Sequence, residues 1–170
     1  SKTVTSPGSI VVASNGKFAF GSGVGTNAYS ISGTGGFTAQ SGATLVITSS
    51  NGISAPGTPT VADTLGSIRV SGLRSFATNV NYEIAKNDGT TKSSLGGSFG
   101  TEIPSINNLT INNPRGVSLS NSNITLNGTL NLVAGKLTTN SYKVTTGAVS
   151  RTDTSWVIGN LEKTIATGAT

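Results

Sequence analysis

Residues 103–149, IPSINNLTINNPRGVSLSNSNITLNGTLNLVAGKLTTNSYKVTTGAV, repeat themselves on two scales. Apolar pairs two residues apart begin at Leu109, Val117, Ile124 and Leu130, with single echoes at Leu137 and Val144. Alternation of that kind is the mark of a strand with one buried face. The starts advance in steps of 8, 7, 6, 7 and 7 and are divided by Asn, Gly, Ser or Pro-Arg-Gly turns. Three steps make a larger unit: Leu109 returns as Leu130, Val117 as Leu137 and Ile124 as Val144, a period of roughly 20 residues. A unit of three short strands and three turns is what one coil of a parallel β-helix requires. The expected fold is therefore all-β, a parallel β-helix of about seven or eight coils stacked ~4.8 Å apart. Leu109, Ile111, Val117, Leu119, Ile124, Leu126, Leu130, Leu132, Leu137 and Val144 are predicted to face inward. A β-sandwich is the alternative, since short strands at regular spacing also suit it, but it needs no such long-period repeat.

The first fifty residues show the same pattern more loosely, in Ile10/Val12, Phe18/Phe20, Tyr29/Ile31, Phe37/Ala39 and Leu45/Ile47. Steps of 8, 11, 8 and 8 imply coils of roughly 24 to 27 residues. The extra length falls in Gly-rich turns that need positive φ. Two segments break the rhythm. Residues 54–66 hold two prolines and read as a loop, and residues 86–102 read as a hairpin or surface excursion that opens on Lys86-Asn87-Asp88-Gly89. No Gly-free window carries a helical apolar stripe. The whole chain, 1–170, reads as one β-helical domain with its most regular coils at 103–149.

Gly, Ser, Thr and Asn make up roughly half the chain, and only 10% of it is charged. The recurring β-branched and aromatic residues separate it from a disordered segment of similar polarity. The net charge of +5 comes from 11 basic and 6 acidic residues. Lys2, Lys17, Arg69, Arg74, Lys86, Lys92, Arg115, Lys136, Lys143, Arg151 and Lys163 stand singly, without runs or interleaved aromatics, so they read as solvated turn residues that guard strand edges. No nucleic-acid partner is expected. No apolar run approaches the ~18 residues of a membrane span.

The chain has no His, Cys or Met, which removes the usual nucleophilic triads and the imidazole and thiolate metal sites. Carboxylate chemistry on a polysaccharide would have to use Asp63, Glu83, Asp88, Glu102, Asp153 or Glu162, all isolated in sequence. No catalytic, cofactor-binding or metal-ligating residue is assigned, no cofactor is expected, and the chain reads as not an enzyme. The corner residues Asn107, Asn108, Asn112, Asn113, Asn121, Asn123, Asn127, Asn131 and Asn140 are expected to hydrogen-bond from one coil to the next. Asn108-Leu109-Thr110, Asn123-Ile124-Thr125 and Asn127-Gly128-Thr129 fit the glycosylation pattern. Phe18, Phe20, Phe37 and Phe76 read as core, while Tyr29, Tyr82, Tyr142 and Trp156 are open to a sugar-binding surface, Tyr82 standing also with Val80 and Ile84 as an inward candidate.

The phrases SINNLTINNPRGVSLSNSNITLNGTLNLVAGKLTTNSYKV and SRTDTSWVIGNLEKT resemble a module of large secreted and cell-surface β-helical repeat proteins of Bacteroidota. The resemblance spans about residues 33–165 and is densest after Ile103. It implies an adhesin-like protein exported by the type IX pathway, secreted or held at the cell surface. It also implies a non-catalytic structural or adhesive module that acts as stalk or attachment surface. The alternatives are a glycan-binding module, a polysaccharide-acting β-helix enzyme, or a subunit of an extracellular filament. The chain is then expected to be a segment of something longer. Its ends would contact neighbouring modules of the same chain or further copies stacked end to end, with surface glycans as a further partner.

Overall fold

The computed structural model describes residues 2–21, 30–55, 66–85, 93–103 and 105–165. Tyr29, Asp63, Asp88, most of the expected loop at 54–66 and the turn at Lys86–Gly89 lie outside these residues. The described residues form eighteen strands, numbered β1 to β18 in chain order, and no helix. Every strand pair is parallel. A sandwich is built on antiparallel pairs, and none occurs among the described strands.

One six-stranded sheet runs through β3 (Lys17–Ala19), β6 (Thr44–Ile47), β9 (Asn81–Ala85), β12 (Leu109–Asn112), β15 (Thr129–Ala134) and β17 (Ala148–Arg151). In the first half it is accompanied by two three-stranded sheets. One holds β1 (Lys2–Thr3), β4 (Ile31–Gly33) and β7 (Ile68–Val70), and the other β2 (Ser9–Val12), β5 (Gly36–Ala39) and β8 (Arg74–Phe76). In the second half one sheet takes their place. β10 (Ser93–Ser94) and β13 (Val117–Ser118) meet β11 (Ser105–Ile106) and β14 (Ile124–Leu126) through the long β16 (Leu137–Thr146), on which β18 (Val157–Lys163) also pairs. β16 serves as two strands because Asn140 turns the chain at φ 54°, a left-handed conformation that Asn tolerates better than most residues.

The recurrences in the sequence are the registers of these ladders. Leu109 pairs with Leu130, Val117 with Leu137 and Ile124 with Val144. All ten residues predicted to face inward are buried, in one continuous apolar core that runs from Val12 to Val144. The first half differs from expectation. Its register step from Ser9 to Gly36 matches the expected coil, but the step from Thr44 to Asn81 is longer by about ten residues. More chain per step leaves fewer steps, and the longest ladder among the described residues has six strands.

The stretch 93–102 is a correction, because it is not a surface excursion. It carries β10, and Leu95 and Phe99 are buried in the core. Residues 50–53 hold it to the first half: Ser67 N–H donates to Gly52 C=O, Ile53 N–H to Leu95 C=O, and Ser94 N–H to Ser50 C=O. Gly52 adopts φ 61°, and a Cβ there would lie 1.9 Å from the Leu95 carbonyl oxygen. Only glycine fits that approach.

Candidate functional site

The described carboxylates lie apart, each with its own surroundings. Glu83, on the outward face of β9, accepts 2.9 Å from the Asn112 amide and lies 3.9 Å from Lys17 Nζ. Glu162 on β18 pairs with Lys143 of β16 at 2.5 Å, both exposed. Asp153 is exposed in the turn before β18. No group of three or more metal-ligating side chains occurs among the described residues.

Glu102 meets Arg74, a cation that the sequence reading leaves in solvent. The pairing of Phe37 with Arg74 places this arginine on the inward face of β8, and its side chain is only 3% exposed. Its Nη2 donates to Ser98 Oγ at 2.7 Å and lies 2.9 Å from Glu102 Oε2, while its Cζ lies 5.6 Å from the Phe76 ring centroid. The Ser98 hydroxyl lies within reach of both the Ser54 carbonyl and Glu102 Oε2, so its one proton serves one of them at a time. Nε and Nη1 find no hydrogen-bond partner among the described residues. Burial pulls the Arg74 pKa below the ordinary arginine value, and Glu102 opposes that shift. The cluster ties the first half to the second and has one carboxylate.

Several of the asparagine corners form rungs, though no side-chain bond of Asn127 or Asn131 is among them. Asn81 Oδ1 accepts from the Asn107 and Asn108 side-chain amides, each at 2.9 Å, and Asn108 Oδ1 accepts from Thr129 N–H at 2.7 Å. Asn123 Oδ1 accepts from Lys143 N–H, and the Asn140 amide donates to Leu119 C=O. Each bond links residues 20 to 27 apart, from one strand set to the next.

The aromatic residues divide. Phe20 and Phe37 are buried, with Phe18 edge-on to the first and Phe76 tilted against the second. Of the two readings open for Tyr82 the structure takes the inward one: it lies in the core with its ring 5.0 Å from that of Phe99, not on a surface, because its register partners are Leu45 and Leu109. Its hydroxyl has no partner among the described residues, and burial raises its pKa. Tyr142 is half-buried against the core, and Trp156 is 41% exposed.

Trp156 stands at the end of a column of corner residues that sequence reasoning treats singly. The register Val117–Leu137–Val157 sets Gly116, Lys136 and Trp156 at matching positions in successive strand sets, with Arg115 beside the first. Lys136 Nζ lies 4.1 Å from the Trp156 ring centroid. A cleft beside this column is lined by Arg115, Val133, Lys136, Thr154 and Ile158. Val133 is there because of a bulge: Ile111 pairs with Leu132 and Asn112 with Ala134, so Val133 is the extra residue and is turned out of the ladder. Neither Arg115 nor Lys136 forms an ion pair among the described residues. The signal in the sequence was the offset from Lys136 to Trp156, the same as the core period. No family model, curated protein or solved structure matches this chain.

Proposed function

We propose that this chain is a non-catalytic structural and adhesive module of a secreted or cell-surface protein, with its parallel sheets as the walls of a β-helical solenoid. The observation that carries the reading is the apolar column Phe18–Leu45–Tyr82–Leu109–Leu130–Val149, continuous through the register of one sheet. Such a column gives length and stiffness without a cleft in which reactive groups converge. Deleting these residues from the parent protein of the producing cells, with the rest kept in frame, should abolish attachment to the surface that the cells colonise. Glycan turnover by the purified chain, lost on changing one of its six carboxylates, would replace this reading with an enzyme.

The same reading has both ends covered by another protein segment, preferably a neighbouring module of the same kind. Val149 and Leu161 pair with the buried Leu130 and Val144, yet are 38% and 40% exposed because no described strand set lies over them. The outer edges of β17 and β18 also lack strand partners among the described residues, and such edges template further strands. Melts of the chain extended by one neighbouring module at each end should show higher stability than the 170 residues alone. Unchanged stability in a strict monomer would refute covered ends. No helix among the described residues is long and apolar enough to cross a membrane.

A further inference from the structure

We infer that the cleft beside Arg115, Lys136 and Trp156 is a binding site for an acidic polysaccharide, one that carries carboxylate or sulfate groups on its sugar rings. Three features converge on that ligand. First, two cations stand at adjacent corners of the ladder without a carboxylate partner among the described residues. Arg115 lies one residue off the Gly116–Lys136 register, so the two cations sit on neighbouring strand sets ~4.8 Å apart along the stack, a repeat comparable with one sugar residue, and consecutive acidic sugars can meet them in turn. Second, the bulge at Val133 and the exposed side chain of Ile158 give the cleft an apolar wall, and the exposed Trp156 stands beside the cleft against Lys136. A bare inorganic anion has no use for such a wall, while the C–H faces of a pyranose do. Third, the Lys136 ammonium rests over the indole ring. That contact is electrostatic and weak when exposed, so a carboxylate or sulfate can draw the ammonium aside with little loss and leave more indole open to the sugar. A nucleic acid fits less well, since one indole beside two cations offers no series of stacking platforms.

The site does not depend on the stalk reading. A stalk that binds no glycan and a glycan-binding domain that bears no load are separate outcomes. The test uses the full 170-residue chain with polygalacturonate, alginate and dextran sulfate as ligands, and unsubstituted dextran and duplex DNA as comparisons, by titration calorimetry and affinity electrophoresis. At least one acidic polymer should bind and dextran should not, and binding should weaken as salt rises from about 0.05 M to about 0.5 M. Arg115→Gln and Lys136→Gln should each weaken it about tenfold, as loss of a charge-assisted hydrogen bond does. Trp156→Ala should weaken it at constant charge, with Trp156→Tyr in reserve if the alanine variant melts early. Lys2→Gln, on the opposite terminal strand set, should leave it unchanged. Failure of all three acidic polymers to bind, equal loss in Lys2→Gln, or DNA binding as tight as the best polysaccharide would each overturn the assignment.

Discussion

The two halves of the long sheet use the same column of side chains with different lengths of chain between them. From β3 to β9 the register advances from Lys17 to Thr44 and then to Asn81, while from β12 to β17 it advances from Leu109 to Leu130 and then to Val149, in markedly shorter steps. The column from Phe18 to Val149 stays in register through both. What fixes the ladder is therefore the apolar pair in each strand, and what varies is the connection. The physics permits this, because closing about 37 residues rather than 21 costs only about half a kcal/mol. The halves differ more in their polar bonds. The second half is laced by amide rungs such as Asn108–Thr129 and Asn123–Lys143. The first half carries a buried guanidinium at Arg74, whose Nη2 is met by the second half reaching back with Ser98 and Glu102.

Substitutions at matched positions separate these contributions, and the core column gives the largest effect. Leu130→Ala should cost about 3–4 kcal/mol in urea unfolding, while Val149→Ala in the same column should cost less than about 1 kcal/mol. Equal losses would mean that something covers Val149 in solution. At the join between the halves, Glu102→Ala should cost about 2–3 kcal/mol, short of the loss from a fully buried pair because Glu102 keeps some contact with water. The double variant Arg74→Met/Glu102→Leu should recover most of it. A double variant no better than Glu102→Ala would show that the charge itself is not what the join must satisfy.

Smaller effects follow from the rungs and from the unpartnered phenol. Asn108→Ala loses a bond on each side and should cost about 1–2 kcal/mol. Gln40→Ala, which loses one exposed bond to Ser14 N–H in the first half, should cost less than about 0.5 kcal/mol. If the two costs match, the rungs do not set the halves apart. Tyr82→Phe should be neutral or stabilising by up to about 1 kcal/mol, because it removes a buried hydroxyl without a partner among the described residues. Its pH dependence has a definite sign. The folded phenol pKa is raised, so Tyr82 contributes no slope below the unfolded value of about 10, and above it the unfolded chain ionises first and stability falls. Chemical denaturation at about pH 9 and about pH 11 should show a smaller alkaline loss in Tyr82→Phe than in the parent.

The second half was legible in the sequence because its period is short and unbroken: the recurrence of Leu109 as Leu130 is the register itself. The first half was legible only as strands, since no local signal says that Thr44 pairs with Asn81 across so long a connection. Residues 93–102 misled because their Gly and Ser content resembles a loop, whereas Ser93 and Ser98 are buried and bonded within the core wall. Arg74 misled for a related reason. Its alternation with Phe76 marks it as inward-facing, but a charge there is acceptable only with a partner, and Glu102 lies far along the chain, beyond β9 and β10. The basic column beside Trp156 was spaced at the core period and needed only the same offset applied to charges.

The unequal register steps also set how the molecule would yield under load. Pulled as the 170 residues alone, with no module over the terminal strand sets, a stack of parallel strand sets gives way at an exposed end, one set at a time. Each release lengthens the tether by the chain stored in that step, at most ~3.5 Å per residue. Peeling from the β18 end frees about 20 residues at a time, or roughly 70 Å per event at full extension. Peeling from the β1 end frees about 27 and then about 37 residues, or roughly 95 and 130 Å. The same protein would thus be a finely graded shock absorber at one end and a coarse one at the other, and the spacing of rips in a single-molecule force trace would tell which end had opened.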